Sequence, residues 1–162
     1  MTIRRVGMTA AMVVAGLLIA GGCASQGGTG SRSGPGLQPL TPTDVRVYRD
    51  NEWRLTRMVE NGTEVPLVPK STVTLIFQGL DRVGGSASIN RYFGGYTLGP
   101  EGQIIWQGPF GTTRMAGLPE LMTQETRFLQ LLGKTTRARI DDPRLILDDG
   151  GPSVILEFSR PN

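Results

Sequence analysis

Between Trp53 and the end of the chain, apolar residues recur mainly in short alternating runs, which are typical of β-strands with one buried face. Turn-forming segments separate these runs: Asn61-Gly62, Gly99-Pro100-Glu101-Gly102, Asp141-Asp142-Pro143 and Asp148-Asp149-Gly150-Gly151. The pattern predicts a mostly β fold, an antiparallel barrel- or sandwich-like sheet of about seven or eight short strands. The predicted strands are 53–59, 72–77, 82–88, 91–98, 103–106, 137–140, 144–147 and 154–158.

A different spacing is found over residues 118–132, where apolar residues recur every three or four positions. Pro119 suits the first helical position, and Glu120 suits the positive end of the helix dipole. Gly133 and Lys134 should end the helix. We therefore predict one amphipathic helix packed on a face or end of the sheet. Its apolar stripe consists of Leu118, Leu121, Met122, Phe128, Leu129 and Leu132.

One charged residue, Glu125, falls in the middle of this stripe, four positions after Leu121 and three before Phe128. A carboxylate that faces the sheet should be paired or hydrogen-bonded, because burying an isolated charge is costly. Glu125 could be a buried acid poised for proton transfer. We favour the alternative, in which it forms a salt bridge that holds the helix on the sheet.

The residues before Asp44 have a different composition. Residues 1–22 combine a basic start, an uncharged apolar run and small residues before Cys23, as a cleaved signal peptide does. The apolar run is shorter than the roughly 20 residues that span a bilayer. Residues 24–43 are rich in Gly, Ser, Pro and Thr and carry too little apolar mass for a core. We predict a signal peptide over 1–22, a lipidated Cys and tether over 23–43, and one domain over 44–162.

The segment LIAGGCAS, residues 18–25, resembles the lipobox of bacterial lipoproteins, with Cys23 as the residue that receives the lipid (palmitate or a similar acyl chain). Ala20 stands where that motif prefers Leu. Cys23 is the single Cys of the chain, and lipidation would consume a thiol that has no disulfide partner. The alternative is an ordinary signal peptide that contains a Cys by chance.

The N-terminal segment also indicates the export pathway and the final membrane location. Arg4-Arg5 is compatible with twin-arginine export, but the surrounding residues match that signal poorly, so we favour the general secretory route. Ala24 follows Cys23 in place of the Asp that often retains lipoproteins at the inner membrane. We therefore expect a lipid anchor in the outer membrane, with the domain facing the periplasm.

Charge and residue chemistry argue against several function classes. Removal of residues 1–22 leaves 15 basic and 14 acidic residues, a net charge of +1, without a run of Lys or Arg, so we expect no nucleic-acid partner. The chain has no His, which removes the commonest general base and metal ligand. The pairs Asp141/Asp142 and Asp148/Asp149 stand in turn sequences and lack EF-hand spacing. We expect no catalytic residues, no cofactor and no metal.

Four segments together resemble the META domain of HslJ-like bacterial envelope proteins: NEWRLTRM, SASINRYFGGYTL, TTRMAGLPELMTQETRFLQLL and RLILDDGGPSVILEF. The family shows an early Trp-x-Leu, a Gly-Cys-Asn-x-Tyr-x-Gly-x-Tyr strand pair, Thr-x-Met-Ala-Cys before a Glu-x-x-Phe helix, and a closing hairpin. The resemblance covers residues 50–160. It implies a barrel-like sheet with one helix in a lipoprotein or secreted envelope protein, and roles in stress tolerance without a defined molecular activity.

The chain departs from the family at both family cysteines. Ile89 stands in the Gly-Cys-Asn position and Gly117 in the Met-Ala-Cys position. Their joint loss implies that the two sites face each other where a disulfide would form, with Ile89 filling part of the volume. Two unrelated substitutions are the alternative. The resemblance also places Arg91 and Arg114 nearest to the helix, which makes them the candidate partners of Glu125.

Residues 90–98 are predicted as a strand whose Gly94-Gly95 step permits a bulge or a sharp bend. Alternation places Tyr92 and Tyr96 on one side and Phe93 on the other; a bulge would instead put Phe93 and Tyr96 on one face. Tyr92 and Tyr96 are candidates for ligand binding, although aromatic residues next to Gly more often pack in a core.

These observations indicate a non-catalytic, lipid-anchored envelope protein. Its META-like domain would bind a partner protein, an envelope polymer or a small amphiphile, or would support the envelope under stress. The alternative is a carrier of an apolar ligand in a barrel interior, or an inhibitor of a hydrolase. The carrier would need a cavity lined by Trp53, Phe77, Phe93 and Trp106. The sequence leaves the oligomeric state open.

Overall fold

The computed structural model describes residues 36–161, which contain ten strands and two helices. The predicted signal peptide and Cys23 lie outside the described residues. The strands are β1 (Gln38–Pro39), β2 (Trp53–Glu60), β3 (Thr63–Glu64), β4 (Thr74–Phe77), β5 (Arg82–Ser86), β6 (Arg91–Leu98), β7 (Ile104–Thr112), β8 (Arg137–Asp141), β9 (Arg144–Asp148) and β10 (Val154–Ser159). The helices are α1 (Pro42–Val47) and α2 (Pro119–Leu132). Neither helix of this region has the length and apolar character needed to cross a bilayer.

The strands form one antiparallel sheet in the order β1-β8-β9-β10-β2-β4-β5-β6-β7, and β3 pairs with β2. The sheet curves but is not closed by a continuous ladder. Its two sides meet at an isolated bridge between Gln103 and Arg137, next to a bond in which the Ile104 amide donates to the Thr136 carbonyl at 2.9 Å. The mostly β, antiparallel fold predicted from the alternating runs is therefore confirmed. The structure adds two short strands, β1 and β3, and a second, short helix, α1, where the sequence predicted only one helix.

The core lies between the concave side of the sheet and α2. Along β10, the alternating residues Val154, Leu156 and Phe158 are buried, as the period of two requires. The Phe128 ring on α2 packs edge-on against the Tyr92 and Phe158 rings, with centroid distances of 5.5 and 6.4 Å. Helix and sheet are thus joined through aromatic side chains that the sequence places on opposite elements.

Helix α2 has the predicted bounds, but its buried face is shifted from the predicted stripe. Leu118 is the N-cap residue and is 60% exposed, so it does not belong to the core as predicted. The helix ends at Gly133, whose amide donates to the Leu129 carbonyl at 3.1 Å. The residues that α2 buries are Gln124, Glu125, Phe128, Leu131 and Leu132.

The folded domain begins earlier than the predicted boundary at Asp44. Strand β1 pairs with β8, Leu40 is buried, and α1 is held by a capping box in which the Thr41 hydroxyl accepts from the Asp44 amide at 3.3 Å while the Asp44 carboxylate accepts from the Thr41 amide at 2.9 Å. Residues 38–43 therefore belong to the fold and not to the tether predicted for them. A single leucine, Leu40, in a Pro- and Thr-rich segment gave too weak a pattern to reveal this.

Candidate functional site

Asn90, the residue directly before β6, is itself buried and is the centre of a hydrogen-bond network with the segment before α2 and with α2 itself. Its amide and its Nδ2 each donate to the Glu125 carboxylate at 2.8 Å. Its Oδ1 accepts from the Thr113 hydroxyl and the Met115 amide, both at 2.8 Å, and its Nδ2 also donates to the Met115 carbonyl at 3.2 Å. One side chain thus fixes the segment that leads into α2 and holds the helix against the sheet.

Glu125 is buried, as its place in the stripe predicted, but its partner is not an arginine. Only 6% of its surface is exposed, and both carboxylate oxygens accept hydrogen bonds from Asn90. Arg91 and Arg114 are exposed, and neither forms an ion pair with Glu125 in residues 36–161. The predicted salt bridge is therefore wrong. A polar backbone-anchored residue can satisfy a carboxylate without the cost of desolvating a second charge.

Gln124, next to Glu125, is a second buried polar residue of α2, and its burial was not predicted from the sequence. Its Oε1 accepts from the Val68 amide at 2.6 Å, and its Nε2 donates to the hydroxyls of Ser71 and Ser88 at 2.9 and 2.8 Å. Position 124 lies four residues before Phe128 on the buried face, so helical spacing could have revealed it. The bonds join the helix to both the segment before β4 and the segment before β6.

Ile89 and Gly117 contact each other, as the paired loss of the family cysteines implied. A Cβ built on Gly117 would lie 2.6 Å from Cγ1 and 2.7 Å from Cδ1 of Ile89. The Ile89 side chain therefore occupies the space into which a side chain at position 117 would extend. The contact lies beside the Asn90 network, so the same corner of the molecule holds both features.

Tyr92 and Tyr96 are core residues and do not form a ligand site. They are 2% and 1% exposed, and their hydroxyls donate to the carbonyls of Thr74 at 2.9 Å and Gly79 at 2.6 Å. Burial raises the pKa of the Tyr92 phenol well above its usual range, and burial together with the nearby Asp81 carboxylate does the same for Tyr96. Both rings are held as neutral phenols inside the fold.

Strand β6 keeps strict alternation through its Gly-Gly step. Val83 of β5 pairs with Gly94, and Arg82 of β5 pairs with Gly95, without a register shift. The irregularity is on the other side, where β7 places residues 108–110 between the partners of Phe93 and Gly95. The bulge therefore belongs to β7, and Phe93 stays on the face opposite to the two tyrosines.

The four aromatic side chains proposed for a carrier cavity do not line one space. Trp53 and Phe77 are fully buried in the core, and the Phe77 ring packs against the Tyr96 ring at a centroid distance of 5.4 Å. Phe93 lies on the outer face, 60% exposed. Trp106 donates from its indole nitrogen to the Thr135 carbonyl at 3.1 Å. The structure thus contradicts the carrier interior proposed from the sequence.

The aspartates of the two acidic turns have structural partners. Asp148 is 3% exposed; its Oδ2 accepts from Nε and Nη2 of Arg139 at 3.0 and 2.7 Å, and its Oδ1 accepts from the Gly150 amide. Asp142 pairs with Arg160 at 2.8 Å. Within the described residues, no three His, Cys, Asp or Glu side chains cluster in a way that could hold a metal ion.

A cavity of about 650 Å³, which we call the trough, lies on the outer face of β5, β6 and β7. Gly95 and Gly111 contribute backbone to it, so no side chain rises from these positions. The side chains that shape it are Gln78, Asp81, Arg82, Phe93 and Gln107. Of these five residues, the sequence had pointed only to Phe93, and to a barrel interior rather than to this face. The four polar residues were missed because the trough arises only when three strands lie side by side.

A second groove of about 570 Å³ runs between β7 and α2 and is lined by apolar atoms of Phe110 and Leu129, among other residues. Strand β7 is an edge of the described sheet, but its Gly108-Pro109 bulge removes an amide donor from that edge. This device protects an edge strand against pairing with another chain.

Comparison with known proteins bears on the fold and the family. A protein from Burkholderia xenovorans solved by NMR has a TM-score of 0.58 and 21% identity, over 80% of this chain and 94% of that one. A second protein solved by NMR gives 0.52 and 20%, over 75% and 95%. A crystal structure of a DUF4847 family protein from Bacteroides vulgatus gives 0.54 and 11%, over 72% and 96%. At these identities the likeness shows the fold alone.

No curated protein sequence matches this chain significantly. The family model of the META domain matches residues 45–161. This match includes the strand pair around Asn90, the segment before α2, α2 itself and the closing hairpin of β9 and β10. The chain therefore belongs to the META domain family.

Proposed function

We propose that this protein is a lipid-anchored envelope protein whose META domain acts by binding a partner and not by catalysis. The observation that supports the proposal most directly is that both buried carboxylates of residues 36–161 are hydrogen-bonded within the fold. Glu125 gives both oxygens to Asn90, and Asp148 gives its oxygens to Arg139 and the Gly150 amide. Groups of this kind hold a fold together, whereas a general acid or base needs contact with substrate.

The anchor is the second part of the proposal. The lipobox-like segment around Cys23 supports export and acylation, and two or more acyl chains hold a protein stably at a membrane. Because the fold begins at about residue 38, residues 24–37 would form the tether and would span roughly 20 Å as a flexible coil. The domain would then stand close to the outer membrane, facing the periplasm, where it could support the envelope under stress.

The anchor is tested by fractionating cells that express Cys23→Ser, with Ser25→Ala as the matched control beside it. We expect Cys23→Ser to move into the soluble fraction, because the acyl acceptor is lost, and Ser25→Ala to remain with the membrane. A Cys23→Ser protein that stays firmly bound to the membrane would contradict the anchor.

The role is tested by a deletion strain grown under heat, detergent and cell-wall antibiotics. Impaired growth that the wild-type gene restores would support a role in envelope integrity. Wild-type growth in every condition would count against the stress role.

A further inference from the structure

The trough contains an aromatic ring that is exposed to water. Phe93 is the single exposed aromatic side chain of residues 36–161, and 60% of its surface is open to water. Its ring lies over Gly111 on β7, in the space that a Cβ at that position would occupy. The Cε2 and Cζ side of the ring therefore rests on the Gly111 backbone, and the exposed ring forms part of the lining of the trough.

The polar side chains around this ring provide both hydrogen-bond donors and acceptors, and their charges sum to zero. The Gln107 side chain lies over Gly95: a Cβ built on Gly95 would be 2.7 Å from the Gln107 Oε1. The Nε2 of Gln107 donates to the Thr97 hydroxyl at 3.0 Å. The Gln78 side chain lies over Gly84 in the same way: a Cβ built on Gly84 would be 2.9 Å from the Gln78 Nε2. The charges of Asp81 and Arg82 cancel, and within residues 36–161 neither side chain is engaged in an ion pair.

The position of the trough limits the way in which a ligand can be held. Strands β5 and β6 are paired on both sides, so their backbone groups are used in the sheet. A peptide could not add to the sheet at β5 or β6 as an extra strand, because strand addition needs an open edge. Strand β7, the third strand of the trough, is an edge of the described sheet, but Pro109 offers no amide donor there. Side chains must supply the recognition, from an aromatic face and from uncharged donors and acceptors.

We propose that the trough binds a neutral pyranose segment of an envelope polysaccharide. A pyranose ring presents an apolar C–H face, which suits stacking on Phe93, and a rim of hydroxyls, which suits the amides of Gln78 and Gln107 and the Asp81–Arg82 pair. This inference rests on the proposed function, since it names the partner of a binding domain. The trough volume of about 650 Å³ falls within the range of small-ligand sites.

The shape of the trough favours a chain over a free sugar. The row Arg82–Gly95–Gln107 crosses three strands, which spans roughly 10 Å at the usual interstrand spacing. This is longer than one pyranose ring. Asp81 is the only carboxylate in the trough, whereas the usual mechanisms of glycoside hydrolysis use a pair that flanks the bond. The arrangement therefore suits binding of the polysaccharide without cleavage.

The test is a titration of the detergent-solubilised full chain with two neutral tetrasaccharides, one of N-acetylglucosamine and one of glucose, followed by calorimetry and amide NMR. We expect at least one to bind, to shift the amides of Gly94, Gly95 and Gly111, and to bind more tightly than its monosaccharide. Phe93→Ala should weaken binding about tenfold, the scale of one aromatic contact. Phe93→Tyr, which keeps the ring, should retain it.

Ile105→Ala is the matched control, because Ile105 is an exposed apolar residue of β7, 66% exposed, outside the trough. It should leave the affinity unchanged. Gln107→Ala gives a second variant that tests the site if Phe93→Ala fails to fold, and it should also weaken binding.

The proposal is overturned if neither tetrasaccharide binds, if Phe93→Ala and Gln107→Ala bind as wild type does, or if Ile105→Ala loses as much affinity as they do. It is also overturned if an apolar tetrapeptide shifts the same amides while the sugars do not. The fractionation of Cys23→Ser uses no sugar, so a failure here is distinct from a failure of the anchor.

Discussion

Substitution of Glu125 tests the network that joins α2 to the sheet. In Glu125→Ala the Asn90 amide and Nδ2 each lose an acceptor at 2.8 Å in a site that is 6% exposed. A hydrogen bond to a charged group contributes about 1.5–3 kcal/mol. Two such bonds give about 3–6 kcal/mol, from which the relief of a buried charge subtracts. We expect the free energy of unfolding to fall by about 3 kcal/mol, a large part of the total for one domain.

Glu125→Gln is the sharper variant because it conserves size. Both Asn90 groups that face residue 125 are donors, so a Gln side chain can accept from only one of them and must turn its own NH₂ toward the other. We expect a loss of about 1–3 kcal/mol for the unsatisfied donors. A salt bridge would be weakened in the same variant by loss of charge, but would also respond to Arg91→Ala and Arg114→Ala, which we expect to have little effect.

The assay is urea unfolding of the full chain, with Glu120→Ala as control. Glu120 is exposed in the first turn of α2, so its removal should cost no more than about 1 kcal/mol of dipole interaction. Equal losses for Glu125→Ala and Glu120→Ala, or a Glu125→Gln protein as stable as wild type, would refute the reasoning.

Two further predictions concern the neighbouring features. The oxidised double variant Ile89→Cys with Gly117→Cys should form a disulfide, which should add about 2–4 kcal/mol to the free energy of unfolding and raise the unfolding temperature. Gly117→Ala alone should destabilise the fold, because its Cβ would lie 2.6 Å from Ile89 Cγ1. Failure to form the disulfide would contradict the contact between positions 89 and 117. The raised pKa values of Tyr92 and Tyr96 mean that the fold favours neutral phenols, so their contribution to stability is complete below about pH 10 and is lost as pH rises further. Urea unfolding at a series of alkaline pH values should show this decline, and a flat profile would contradict it.

Local patterns gave most of the elements because their causes are local. The period of two and the turn residues located eight of the ten strands, and helical spacing with Pro119 and Gly133 located α2. The same spacing placed Glu125 on the buried face. Strands β1 and β3 and helix α1 were missed because the two strands are two residues long and the helix six, too short for a periodic signal.

The sequence by itself determined the antiparallel sheet, the helix and the burial of Glu125, since each follows from which side of an element a residue faces. Only the tertiary structure decided what each buried group meets. It gave Glu125 the partner Asn90, and it covered Tyr92 with the aromatic side chain of Phe128. It also laid Gln107 and Phe93 beside glycines of neighbouring strands to form the trough. Periodicity determines which side of an element a side chain faces. Which residue it contacts depends on the register and curvature of strands that are distant in the chain, and no local pattern encodes these.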